Sequence, residues 1–242
     1  MLRKWIAVLS LGAASLASAE GYQCSVTPQD DLVITPAYVQ VIGKSGEMKI
    51  TPDGQITRDG KSLTLSAAQS ADAKRYQSGV RQDVPWIKQQ AVNRIGKSRQ
   101  AVDKVLIKEM GQDSKLRSHL TTLEADLNKQ VDRIIETRPD GYAFHHQAIK
   151  QVEQDGRAQI QQRLGGMLQD AINEIGRKQL LAGLTGDKSA AGAALSGLDG
   201  LQKSLQQAVR EQEDDFKQFS KQVCGKVTTL EQQRIQLINY LK

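Results

Sequence analysis

The chain has 242 residues, with 33 Lys and Arg against 27 Asp and Glu, a formal charge of +6, and only 39% apolar and 4% aromatic residues. Beyond the N-terminal run no stretch is apolar enough for a bilayer span, which excludes a polytopic membrane protein, and two cysteines exclude a disulfide-dense mini-protein. Scarce aromatics beside abundant Gln, Lys, Leu and Ala favour long helices over an all-β fold.

Arg3 and Lys4 precede an uncharged, mostly apolar run from Trp5 to Leu16. Ala17-Ser18-Ala19 then puts small residues where a signal peptidase reads them. This is the pattern of a secretory signal over residues 1–19, cleaved between Ala19 and Glu20; an uncleaved anchor is the alternative, for which the run is short. Tyr22-Gln23 ahead of Cys24 lack the small residues of a lipoprotein signal. Cleavage removes two positive charges and leaves +4. An exported chain meets oxidising conditions, where cysteines tend to pair. Cys24 with Cys224 is the one intramolecular pairing available, with intermolecular pairing as the alternative. A loop of about 200 residues is worth roughly 5 kcal/mol in the chain-entropy model.

Residues 20–65 hold three of the five prolines and read as a β-rich head. Val39 and Val41, Met48 and Ile50, and Leu63 and Leu65 alternate with polar residues, the period-2 pattern of strands with one buried face. Pro52-Asp53-Gly54 is a turn signal, and Asp59-Gly60 suits a tight hairpin. Ser66 and Gln69 form a capping box that opens a helical body over 66–182. Pro85 is expected to restart or kink its first helix, which ends at Gly111. Leu116, Leu120, Leu123, Leu127, Val131 and Ile134 form an apolar stripe at helical spacing. Arg138-Pro139-Asp140-Gly141 reads as a reverse turn, with the next helix starting near Tyr142 and running to about Leu184. Gly156, Gly165, Gly166 and Gly176 suggest breaks or bends within it. Residues 183–200 are rich in small residues and read as a flexible linker before a C-terminal helix over 201–242. The expected fold is α+β, predominantly α: a small N-terminal antiparallel meander packed on an elongated bundle of long antiparallel helices.

Chemistry-bearing motifs are scarce. His145-His146 are the weak candidates for a metal, but adjacent helical positions diverge by about 100°, so one helix does not aim both at one ion. His119 is the only other histidine. There is no nucleophile elbow, no phosphate loop and no C-x-x-C. No catalytic residue, cofactor or nucleic-acid partner is expected; aromatic residues are not interleaved with the basic ones for base stacking. The charge is more informative. Residues 67–110 carry nine basic and four acidic side chains, whereas residues 20–66 carry four and six. Arg94, Lys97, Lys104 and Lys108 fall within about 80° of one helix face. Such a stripe is a candidate site for an anionic partner.

Tyr22-Gln23-Cys24-Ser25-Val26, Pro28-Gln29-Asp30-Asp31, Ile50-Thr51-Pro52-Asp53-Gly54, Val84-Pro85-Trp86-Ile87, Gly165-Gly166-Met167-Leu168-Gln169-Asp170 and Val223-Cys224 carry a resemblance. Together they resemble the YggN-type family of exported Gram-negative proteins, a domain of unknown function. The resemblance implies a periplasmic location and cysteines matching Cys24 and Cys224, and brings no catalytic residues. The expectation is therefore a non-enzymatic periplasmic protein, binding or chaperone-like, with an envelope protein or anionic lipid surface as partner. The alternatives are a metal-dependent or hydrolytic enzyme using His145, His146 or His119, and a self-assembling structural subunit.

Overall fold

A computed structural model describes residues 24–44, 46–184 and 190–240. The expected signal peptide over 1–19 lies outside these residues, as do positions 185–189 of the expected linker. Among the described residues no helix is long and apolar enough to cross a membrane.

Alternating apolar positions build the head. Strands β1 (Asp31–Ile34), β2 (Val39–Gly43), β3 (Gly46–Ile50), β4 (Ile56–Arg58) and β5 (Lys61–Ser62) form an antiparallel meander. Leu32, Ile34, Val39, Val41, Met48, Ile50 and Ile56 are buried on one face. The β4–β5 turn places both Asp59 and Gly60 at positive φ, 48° and 80°, as a tight twisted hairpin requires. β5 stops at Ser62; Leu63 and Leu65, expected in that strand, instead pack against the head core on the way to the first helix.

Helix α1 (Ala67–Met110) opens on the expected box: Ser66 Oγ accepts from Gln69 N–H, and Ser66 N–H donates to Gln69 Oε1 at 2.9 Å. It runs unbroken through Pro85 rather than restarting there. Val80 and Val84 are buried just before the proline and Ile87 packs just after it, so burial on both sides offsets the lost amide donor. Gly111, at φ 94°, ends the helix. Helix α2 (Leu116–Ile134) follows the predicted stripe, with Leu116 and Leu120 buried at its start.

The next element corrects the sequence reading. Residues 141–144 form a strand, not the start of a helix: β6 (Ile135–Arg138) and β7 (Gly141–Phe144) make a hairpin around the expected turn. β7 pairs with β1, extending the sheet to seven strands in the order β5-β4-β3-β2-β1-β7-β6. Tyr142 and Phe144 join the inner face opposite Ile34 and Leu32, an apolar alternation that suits the pleat. Helix α3 (His146–Leu184) is continuous through its glycines, and helix α4 (Ala190–Tyr240) begins ten residues before the predicted end of the linker. At 51 residues α4 is about 75 Å long.

Two cores result. The head core joins the inner face of the sheet to Ala73, Tyr76, Val80 and Val84 of α1 and Leu237 of α4. The second joins Leu106 and Met110 of α1, Leu116 and Leu120 of α2, Ala171 of α3 and Leu201 of α4. From Val84 to Leu106 is about 33 Å along α1. A disulfide between Cys24 and Cys224, with Cα atoms 5.4 Å apart, ties the segment before β1 to α4.

Candidate functional site

The α1/α4 interface carries the basic residues singled out from the sequence. Antiparallel packing sets Arg94 beside Asp215 and Glu109 beside Ser204. Between these two contacts the helices leave a groove of about 480 Å³. Its α1 side is Lys97, Gln100, Ala101, Lys104, Val105 and Lys108; its α4 side is Ser204, Gln207, Ala208, Glu211 and Gln212. The lysines stand at i, i+7 and i+11, within about 40° of one another, in a row about 16 Å long. All three are exposed. Lys108 Nζ lies 3.5 Å from Glu109 Oε1, whereas Lys97 and Lys104 have no carboxylate within 4 Å among the described residues. Ala101 and Ala208 supply a small, neutral floor.

Arg94, the fourth residue of the expected stripe, stands apart from this row. Its Nε and Nη2 each lie 3.1 Å from an Asp215 carboxylate oxygen, and its guanidinium sits 4.5 Å over the Phe219 ring. With its side chain only 11% exposed, Arg94 is part of the interhelix packing and does not line the groove. The same ladder continues toward the head: Trp86 packs on Phe219 with ring centroids 6.2 Å apart, Lys226 lies 4.7 Å over Trp86, and Lys226 Nζ reaches Asp83 at 2.5 Å. Sequence reasoning missed this ladder and the polar α4 wall. Their residues lie about a hundred positions or more from their α1 partners, and no local periodicity pairs them.

The histidines occupy a different place, where β7 passes into α3. His146 donates its backbone N–H to Asp31 Oδ1 at 2.9 Å, and its Nδ1 lies 2.6 Å from the same oxygen. His145 Nε2 lies 3.3 Å from Glu136 Oε2, which also accepts from Arg138 Nε at 2.9 Å. These bonds, Arg138 first and His145 second, hold the Glu136 carboxyl below the usual range. His145 Nδ1 also lies 3.9 Å from Asp31 Oδ2, so both imidazoles face Asp31 and His145 faces Glu136 as well. A cavity of about 600 Å³ lies beside them. Much of its charged lining is already paired: Asp132 with Lys88, Arg133 with Asp155, Lys129 with Asp126. His119 is elsewhere, 2.8 Å from Asp170 across α2 and α3. Among the described residues no three His, Cys, Asp or Glu side chains are grouped to hold a metal.

The model of a family described as a protein of unknown function, DUF2884, matches residues 24–242. Curated relatives described as uncharacterized protein YggN occur in Escherichia coli K12, O6:H1 and O157:H7. Each is 46% identical over 245 residues, covering all of this chain and all of the relative. No solved structure matches the chain.

Proposed function

We propose, from the premise that the chain belongs to the DUF2884 family of YggN-type proteins, that it is an exported, non-enzymatic helical binding protein whose α1/α4 groove receives an anionic partner in the periplasm. The observation that carries this reading is the row of Lys97, Lys104 and Lys108 in one groove, two of them without a carboxylate within 4 Å among the described residues. Like charges held in a row along a wall raise the local potential and attract an extended anion more than isolated surface charges do. The signal-like N-terminus and the Cys24–Cys224 disulfide support export, since structural disulfides persist in oxidising compartments. Osmotic-shock fractionation with N-terminal sequencing tests the location: a released chain beginning at Glu20 is expected, and retention in the cytoplasm with Met1 intact contradicts it.

Binding is tested with a panel of anionic probes: pentaphosphate, phosphatidylglycerol–phosphatidylcholine vesicles and short acidic peptides. Lysine-dependent binding to one class, weakening roughly tenfold from low to physiological salt, is expected. The variant K97Q/K104Q/K108Q should lose it while keeping its helix content and unfolding midpoint. Absence of lysine-dependent binding to every probe sinks the reading.

A further inference from the structure

The shape and lining of the groove narrow the class of anion. Three lysines spread over about 16 Å do not converge on one phosphate; they match a ligand with several charges along its length. The large exposed apolar side chains, Ile42, Ile172, Val209, Phe216, Ile235 and Tyr240, are absent from the lining. The groove therefore lacks the apolar wedge with which surface helices enter a bilayer. Among the described residues no aromatic ring lines it, so it offers no platform for a base.

The two walls differ in a way that a peptide can satisfy. The α1 wall is cationic. The α4 wall is neutral amide and hydroxyl except for Glu211, whose Oε1 accepts from Gln207 Nε2 at 3.1 Å. Glu211 repels a ligand charged on both edges, so the ligand needs one acidic edge and one neutral edge. In an extended chain successive side chains point to opposite sides, so acidic residues at alternate positions give that arrangement. At about 3.3 Å per residue, the row of lysines spans about five residues. Gln207, Gln212 and Ser204 supply both donors and acceptors, which the backbone N–H and C=O groups of an extended segment require.

We propose that the groove binds an extended peptide segment of about five residues with acidic side chains at alternate positions, its acidic edge toward Lys97, Lys104 and Lys108. This rests on the reading of the groove as an anion site. The test is fluorescence anisotropy of the disulfide-intact protein with three labelled peptides: one alternating Glu and Ser, its Gln–Ser counterpart, and an isomer with its glutamates in one block. The alternating peptide should bind roughly tenfold more tightly than either of the others. K97Q/K104Q/K108Q should abolish the difference, and Gln207→Ala should weaken the alternating peptide severalfold without changing the unfolding midpoint. Equal affinity for the alternating and blocked peptides overturns the extended register. Lysine-dependent binding of pentaphosphate or phosphatidylglycerol vesicles, with no binding of the alternating peptide, overturns the peptide assignment and leaves the anion site standing. No lysine-dependent binding of any probe overturns both.

Discussion

At the head, charged side chains of α1 and α4 fasten the two helices to each other and to the sheet. Arg234 reaches buried Asp30 and also Glu231, Lys226 reaches Asp83, and Arg81 crosses to the carbonyls of Thr35 and Pro36 in the β1–β2 loop. Farther along the same helix pair, Lys97 and Lys104 face α4 with no carboxylate within 4 Å among the described residues. The chain therefore supplies acidic partners across this interface where it fastens the helices, as Asp215 does for Arg94. The groove lysines contribute little to that fastening. Their row is a surface property of the body, carried by a scaffold whose order is set at the head and in the second core.

This contrast can be broken from the head side first. Replacing both cysteines with serine removes a cross-link of sequence separation 200. It should lower stability by about 4–5 kcal/mol in the chain-entropy model, read from urea unfolding. Probe binding below the transition should be preserved. Arg234→Met strands the Asp30 carboxylate, whose side chain is 6% exposed, and should cost about 3–4 kcal/mol in the same assay. Asp30→Asn in that background should recover part of the loss. A Cβ at Gly141, which has φ 146°, would meet the Ile34 carbonyl oxygen at 2.0 Å. Gly141→Ala should cost about 2–3 kcal/mol. Hydrogen exchange should show lost protection at the β1–β7 seam, with the β1–β2 ladder kept.

The second core offers a smaller, pH-dependent effect. The Arg117 guanidinium bonds both oxygens of Asp103, at 2.7 and 3.1 Å, and holds that carboxyl below its usual range. A depressed folded value means that stability is fully present above the unfolded carboxylate range and is lost as pH falls through the folded value. Asp103→Asn should therefore lower the urea midpoint at neutral pH and flatten its fall on acidification. The smallest stability effect belongs to the groove: K97Q/K104Q/K108Q should shift stability by no more than about 0.5 kcal/mol. A much larger loss would mean that the lysines are structural after all, and the contrast would fail.

Local signals were the legible ones. The Ser66–Gln69 box, the Asp59-Gly60 turn and the Leu116–Ile134 stripe each lie within a few turns of chain, and each forms as its spacing suggests. The β6–β7 hairpin was not legible. Its strands are four residues long, and β7 pairs with a strand more than a hundred residues earlier, so the alternation of Tyr142 and Phe144 was absorbed into the following helix. The same distinction divides the site. The lysine row is a helical spacing within α1 and can be read directly. Arg94 shares that arc, but its role is decided by Asp215, 121 positions away. The polar wall of Gln207, Glu211 and Gln212 acquires meaning only once α4 is known to lie antiparallel to α1.

The most direct measurement is chemical-shift mapping of the isotope-labelled, disulfide-intact protein with the alternating acidic peptide. The perturbed amides should be those of Lys97, Lys104, Lys108, Ser204 and Gln207, with the head and the His145–Glu136 joint unchanged. Perturbations centred on Arg133, Glu136 and His145, or a pattern that persists unchanged in K97Q/K104Q/K108Q, would contradict the assignment of binding to the α1/α4 groove.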